Sequence, residues 1–73
     1  MTEKYRICIS SPPDREKLVA EIFFGNIQWA ELNQEGEILQ MEFYSRPDGQ
    51  PWQISFQDAR LIMYKAKQKP IGD

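Results

Sequence analysis

The sequence contains no histidine and a single cysteine, Cys8, among its 73 residues. Histidine is the commonest general base and a frequent metal ligand, so its absence removes the usual starting point for catalysis. One cysteine excludes an internal disulfide, which favours a reducing compartment, and the cytoplasm is the expected location. Because no imidazole can activate its thiol, Cys8 is expected to serve as a small buried hydrophobe. These absences predict a protein that is not an enzyme, with no cofactor and no metal.

Long apolar runs and an excess of positive charge are also missing. The N-terminal Met1–Lys4 is polar, and no later segment approaches membrane-spanning length, so neither a signal peptide nor a membrane partner is expected. Nine lysines and arginines stand against eleven aspartates and glutamates, which gives a net charge of −2. Non-specific binding to phosphates requires a basic balance or a basic stripe, so nucleic acid is not expected as a partner.

The chain does have enough apolar side chains for a folded core. Hydrophobic residues make up 41% of the sequence, which argues against disorder. Seventy-three residues leave room for one domain spanning 1–73. A core of this size is thin, so association with a partner would help to stabilise it.

Short alternating segments, rich in branched and aromatic residues, predict an antiparallel sheet. Glycine at the first position of Gly25-Asn26 predicts a two-residue type II′ turn between the second and third strands. The expected strands are Tyr5–Ile9, Lys17–Phe24, Ile27–Leu32, Glu37–Tyr44 and a short last strand, Trp52–Ile54.

A helix is predicted from Phe56 to Lys67. Ser55 and Asp58 form a capping box at its start, and Pro70 and Gly72 are expected to end it. The fold class is therefore α+β: an antiparallel four- to five-stranded β-meander with one C-terminal α-helix packed on one sheet face. The helical stripe expected to face the sheet is Phe56, Ala59, Ile62, Met63 and Ala66.

The position of Trp29 depends on the register of the hairpin. A two-residue turn places Trp29 opposite Ile22 in the core, whereas a three-residue loop moves it to the other face beside Glu31. The sequence leaves both registers open. In the fourth strand, Leu39, Met41 and Phe43 form the better core-facing set.

The sheet face without the helix is expected to combine acidic and aromatic side chains. Such a surface suits a basic protein partner, although a solvated face in a small acidic protein has the same composition. The segment Arg46–Trp52 is either a rigid connection with Trp52 as a packing anchor or a preorganised recognition loop. The candidate partner-binding residues are Glu21, Trp29, Glu31, Glu42, Tyr44, Arg46 and Trp52.

Three segments, Lys17–Ile22, Trp29–Leu32 and Arg46–Trp52, resemble those of small uncharacterised bacterial proteins of a β-meander-plus-helix type. Some proteins of this type are immunity proteins that block a toxin. The resemblance covers about residues 14–68 and lies in structural motifs, namely strands, a turn and a helix start. It implies no functional residue.

These observations predict a small acidic protein-binding module, of an immunity or inhibitor type, that occludes a basic partner. The alternative is a structural or regulatory homo-oligomeric domain without a catalytic role. In that case an exposed edge strand would pair with its copy across a two-fold axis to form a homodimer.

Overall fold

The computed structural model describes residues 5–14 and 16–69. Four antiparallel strands form one open sheet in the order β1-β2-β3-β4, and a single helix follows them. The predicted α+β meander with one C-terminal helix is therefore confirmed, with four strands. The elements are β1 (Tyr5–Ser10), β2 (Val19–Phe24), β3 (Ile27–Asn33), β4 (Gln40–Phe43) and α1 (Phe56–Lys67).

Two of the strands begin later than predicted. β2 starts at Val19 rather than Lys17, because the backbone N–H groups of Glu16 and Lys17 each donate to the Glu35 carboxylate at 3.0 Å. These backbone N–H groups therefore bind the loop between β3 and β4 instead of continuing the hydrogen bonds of β2. β4 is also short and begins at Gln40 rather than Glu37.

The predicted strand Trp52–Ile54 is wrong. These residues form an irregular connection from the sheet to α1, and their side chains, not their backbone, make the contacts. Trp52 and Ile54 pack against the core, and the Trp52 indole N–H donates to the Tyr44 carbonyl oxygen at 2.7 Å. The segment has left the sheet by this point to reach the helix layer.

The β2–β3 hairpin combines the predicted tight turn with a β-bulge. Phe24 pairs with Ile27, and Gly25 has a φ of +62° while no described residue other than glycine has a positive φ, as a type II′ turn requires. Farther along, Ile22 pairs with Ala30, so Trp29 is the extra residue of a bulge. The two-residue turn is confirmed. The pairing that it sets extends to Phe23 and Gln28, and beyond the bulge the β3 partners are shifted by one residue.

The hydrophobic core lies between α1 and one face of the sheet. Ile62 and Ala66 of the helix are buried against the central strands, and Ala59 and Met63 pack beside them. The predicted helical stripe is wrong only at Phe56, which is 79% exposed. At 100° per residue, Phe56 points about 120° away from Ile62. The buried sheet residues of this core are Ala20, Ile22, Phe24, Trp29, Ala30 and Leu32.

The helix boundaries agree with the capping signals. The Ser55 hydroxyl accepts the Asp58 backbone N–H at 3.1 Å, and Gln68 is the C-cap. Lys65 and Lys67 lie in the last turn, where cations complement the helix dipole. The predicted stop residues, Pro70 and Gly72, lie outside the described residues. Within 5–14 and 16–69, no helix has the length and apolar character needed to span a membrane.

Candidate protein-binding surface

Three carboxylates form a row across the sheet face that points away from α1. Glu21 pairs with Glu31 across β2 and β3, and Glu31 pairs with Glu42 across β3 and β4. Like charges in directly opposite positions are unfavourable, so a sheet keeps such a row only where other groups bind the carboxylates. We call Glu21, Glu31 and Glu42 the acidic row.

Hydrogen bonds connect the acidic row to its neighbours. The side-chain amide of the buried Asn33 donates to a carboxylate oxygen of Glu31 and to one of Glu42, at 3.3 Å each. The Tyr44 hydroxyl donates to the other oxygen of Glu31 at 3.5 Å. Glu31 itself is only 5% exposed. Glu31 therefore presents little of its carboxylate at the surface, because these neighbours cover it.

One end of this sheet face is closed. Val19 points to the same side as Glu21 and is fully buried, as is Asn33 on β3. The loop contacts made by Glu35 lie at this end. The rest of this face is accessible in part, because Glu21, Phe23 and Glu42 are half-buried. Arg6 of β1 is exposed on the same face, with its guanidinium carbon 4.3 Å from the Phe23 ring centroid.

Trp29 is a core residue. It is 6% exposed, and its ring lies 5.7 Å from that of Phe24 and 5.6 Å from that of Phe43, measured between centroids. The bulge places its side chain among the residues that face the helix. It therefore presents almost no surface to a partner in this structure.

Beyond the acidic row, eight residues between Phe43 and Trp52 line a shallow depression at the β4 edge of the sheet, and four of them have large side chains. Phe43, Tyr44, Arg46 and Trp52 line it, and we call them the aromatic rim. Phe43 was expected to face the core, and its ring does contact Trp29, yet it is 58% exposed because β4 is the last strand of the described sheet. The position of Phe43 in the last strand of a meander was the one sequence signal for this exposure.

The loop that carries the rim is held by its own hydrogen bonds. The Gly49 N–H donates to the Arg46 carbonyl oxygen at 3.1 Å, with Pro47 in the turn and Gly49 at a φ of +77°. The Gln50 N–H donates to the Asp48 carboxylate at 3.0 Å. Both features follow from the turn residues that the sequence contains.

Arg46 and Asp48 form a bidentate ion pair. Arg46 Nη2 lies 2.8 Å from Asp48 Oδ2, and Arg46 Nε lies 3.1 Å from Asp48 Oδ1. The hydrogen bonds from the Arg46 guanidinium, followed by the bond from the Gln50 N–H, lower the pKa of Asp48 to about 2. The pair fixes the direction of the Arg46 side chain, which is otherwise long and mobile.

Trp52 joins the rim to the core. Its ring lies 5.8 Å from the Phe24 ring, and the Arg46 guanidinium carbon lies 5.2 Å from the Trp52 ring centroid. Trp52 is thus a packing anchor whose accessible side supports Arg46. The structure is compatible with both interpretations of this loop, because a rigid connection is also a preorganised surface.

The structure brings together three of the seven candidate residues, Tyr44, Arg46 and Trp52, at the depression, and Glu42 lies beside them in the acidic row of β4. Glu21 lies two strands away, and Glu31 and Trp29 lie beneath the surface. Across the described part of the chain, no three histidine, cysteine, aspartate or glutamate side chains come close enough to hold a metal ion. Cys8 is half-buried, rather than a core residue, and its sulfur accepts a hydrogen bond from Arg6 Nη1 at 3.0 Å.

Comparison of the chain with protein-family models, with curated proteins and with solved structures found no match. The function is therefore inferred from the chemistry of the surface.

Proposed function

We propose that this chain is a protein-binding module that contacts a basic partner through the aromatic rim and Glu42. The observation that carries this proposal is the depression at the end of β4, the last strand of the sheet, with Phe43, Tyr44, Arg46 and Trp52 among its lining residues. Tyrosine, tryptophan and arginine are the residue types that dominate the binding energy of protein interfaces.

Preorganisation strengthens this proposal. The rim loop is fixed by the Arg46–Asp48 ion pair, by the turn at Gly49 and by the hydrogen bond from the Trp52 indole N–H to the Tyr44 carbonyl oxygen. A surface that is already ordered loses little conformational entropy on binding, so more of the contact energy contributes to affinity. The half-exposed Tyr44 and Phe43 would supply apolar area at low entropic cost, since each has only two side-chain torsions.

Charge around the rim defines the kind of partner. Glu42 precedes Phe43 on β4, Asp48 in the rim loop offsets the charge of Arg46, and the whole chain has a net charge of −2. A negative surface of this kind accelerates association with a positively charged protein and disfavours an acidic one. An immunity or inhibitor role is the finer form of the proposal, in which the module covers a basic site on its partner.

Affinity capture tests this proposal. The tagged protein would be used to retain proteins from an extract of its native cells at low and at moderate salt. We expect a basic protein to be retained at low salt and released as ionic strength rises, because screening weakens attraction between exposed charges. Glu42→Lys should reduce retention of that protein about tenfold, because reversing a charge that faces a basic partner replaces an attraction by a repulsion.

Glu37→Lys is the matched control. Glu37 is exposed and precedes β4 at the end away from the rim, so its reversal changes the net charge equally. It should leave most of the binding intact. Equal loss with both variants would mean that only net charge matters, and unchanged binding with Glu42→Lys would rule out this surface.

A homo-oligomer formed through strand edges is the second candidate. Both β1 and β4 are edge strands, and β1 has six residues that could pair with a copy across a two-fold axis. The four-residue length of β4 makes it the weaker edge for pairing. Light scattering over a concentration series tests this candidate, and a strict monomer at high concentration would exclude it.

A further inference from the structure

The rim loop contains the one aspartate of the sequence that precedes a glycine, Asp48 before Gly49, and no asparagine precedes a glycine. Glycine has no side chain to hinder the approach of its nitrogen to the preceding carboxyl group, so an Asp-Gly pair is where aspartate rearranges most readily. The Asp48 side chain is 48% exposed, so water reaches it. The loop therefore combines a reactive pair of residues with a solvent-accessible position.

We propose that Asp48 is a site of spontaneous covalent modification, its conversion to isoaspartate, and that the Arg46–Asp48 ion pair restrains this conversion. In the first step the Gly49 nitrogen attacks the side-chain carboxyl carbon of Asp48. A C–N bond forms, and one carboxyl oxygen leaves as water with the amide proton and the proton of the neutral acid. Water then opens the succinimide ring at the main-chain carbonyl carbon and gives isoaspartate. The water lost equals the water gained, so the mass is unchanged.

The contacts of the Asp48 carboxylate oppose the first step. Its Oδ2 accepts a hydrogen bond from Arg46 Nη2 at 2.8 Å, and its Oδ1 accepts one from Arg46 Nε at 3.1 Å and one from the Gln50 N–H at 3.0 Å. The carboxyl carbon cannot turn toward the Gly49 nitrogen without loss of some of these bonds. Bidentate bonds to arginine are among the stronger hydrogen bonds of proteins, so their loss raises the barrier.

The Gly49 nitrogen and the charge of the carboxyl group act in the same direction. The Gly49 N–H donates to the Arg46 carbonyl oxygen at 3.1 Å, which holds the nitrogen in the turn. Loss of water requires the neutral acid, whereas the hydrogen bonds from Arg46 favour the charged form and lower the pKa of Asp48 to about 2. Arg46 therefore restrains both the orientation and the protonation of the reacting group.

Conversion would change the rim loop permanently. Isoaspartate adds one carbon to the main chain and leaves the carboxylate on a shorter branch, so the three hydrogen bonds of Asp48 cannot form in the same arrangement. Arg46 would lose the carboxylate that fixes it beside Trp52. The rim would then be less preorganised, and we expect it to bind a partner less tightly. Only this consequence rests on the proposed function, and the modification itself does not.

Incubation of the folded protein at neutral pH, followed by proteolysis and mass spectrometry that separates isoaspartyl from aspartyl peptides, tests the proposal. Arg46→Gln should convert Asp48 at least about tenfold faster than the unchanged protein does. The reason is that, well above the pKa, the neutral fraction of a carboxyl group rises about tenfold for each unit by which its pKa is raised. Arg60→Gln is the matched control, because it removes an exposed arginine from α1, and it should leave the rate unchanged.

Two further measurements require no change at Arg46. Exposed charges attract one another less at high ionic strength, so added salt should speed the conversion in the unchanged protein. The unchanged protein unfolded in urea gives the rate for a chain without the ion pair, and this rate should exceed that of the folded protein. Asp48→Glu is the chemical control, since glutamate would have to form a six-membered ring, and it should yield no modified peptide. Circular dichroism checks that each variant is folded.

Two outcomes would overturn the inference. Equal rates in the folded unchanged protein and in folded Arg46→Gln would show that the ion pair exerts no control. Absence of isoaspartate even in the urea-unfolded chain would show that Asp48 is not a modification site. Neither measurement involves a partner, so the inference can fail while retention of a basic protein through Glu42 still supports the proposed function, and it can hold where no partner is retained.

Discussion

Tyr44 makes contacts in three directions at the end of β4. Its backbone N–H donates to the Trp29 carbonyl oxygen at 2.9 Å, and its own carbonyl oxygen accepts the Trp52 indole N–H at 2.7 Å. Its hydroxyl reaches the Glu31 carboxylate. This one residue therefore fixes the rim relative to both the core and the acidic row. A substitution at Tyr44 would disturb all three regions, which is why neighbouring residues are better choices for testing the surface.

At the same scale, Asp48 provides a pH-dependent prediction. Its pKa is about 2 in the folded protein, below the ordinary value of 3.8, so its contribution to stability is present above pH 4 and is lost as pH falls through 2. We expect the Asp48 carboxyl carbon to titrate with a midpoint near pH 2 in an NMR titration. Arg46→Gln should raise this midpoint toward 3.8, because the main cause of the lowered pKa is removed. A midpoint near 3.8 in the unchanged protein would contradict the ion pair.

Residue exposure explains which candidate site residues could be predicted. Tyr44, Arg46 and Trp52 could be chosen as candidates because their residue types and the turn signals around them are local properties of the sequence, and their contact with a partner stays a prediction. The burial of Glu31 depends on Asn33 and Tyr44, which approach it only in the folded sheet. No local pattern could have indicated this burial.

At the level of elements, α1 is held by its inner face. Ile62 is fully buried against the sheet, whereas its neighbour Leu61 points to solvent. Ile62→Ala should lower the free energy of unfolding by about 2–5 kcal/mol, because it leaves a cavity in a thin core. Leu61→Ala is the matched control and should change that free energy by less than about 0.5 kcal/mol. Urea denaturation measures both, and equal effects would contradict the orientation of the helix.

The elements were predictable to different extents. The bounds of α1 and the turn at Gly25 follow from capping and turn chemistry, which act over a few residues. The start of β2 could not be predicted, because it depends on Glu35 from a loop distant in sequence. The bulge at Trp29 also depends on how two strands pack on the helix, and alternation alone does not reveal it.

At the scale of the whole molecule, the helix and the sheet share one core. The cluster that contains Ile62 and Ala66 also contains the buried residues of β2 and β3, and no second cluster of buried residues supports either layer alone in the described ranges. We therefore expect the protein to unfold in one cooperative transition. Far-ultraviolet circular dichroism and tryptophan fluorescence should give coincident urea curves. Loss of helical signal at a lower urea concentration would show that α1 separates first.

The bulge at Trp29 determines which face of the sheet carries the carboxylate of Glu31. Successive side chains along a strand point to opposite faces of the sheet. One extra residue therefore moves every later side chain of that strand to the other face. With the pairing of Phe24 and Ile27 continued unchanged, Glu31 would lie opposite Ala20 on the helix side. Gain or loss of a single codon at this point would thus exchange the inner and outer sides of the rest of β3, and the acidic row exists because of that one inserted residue.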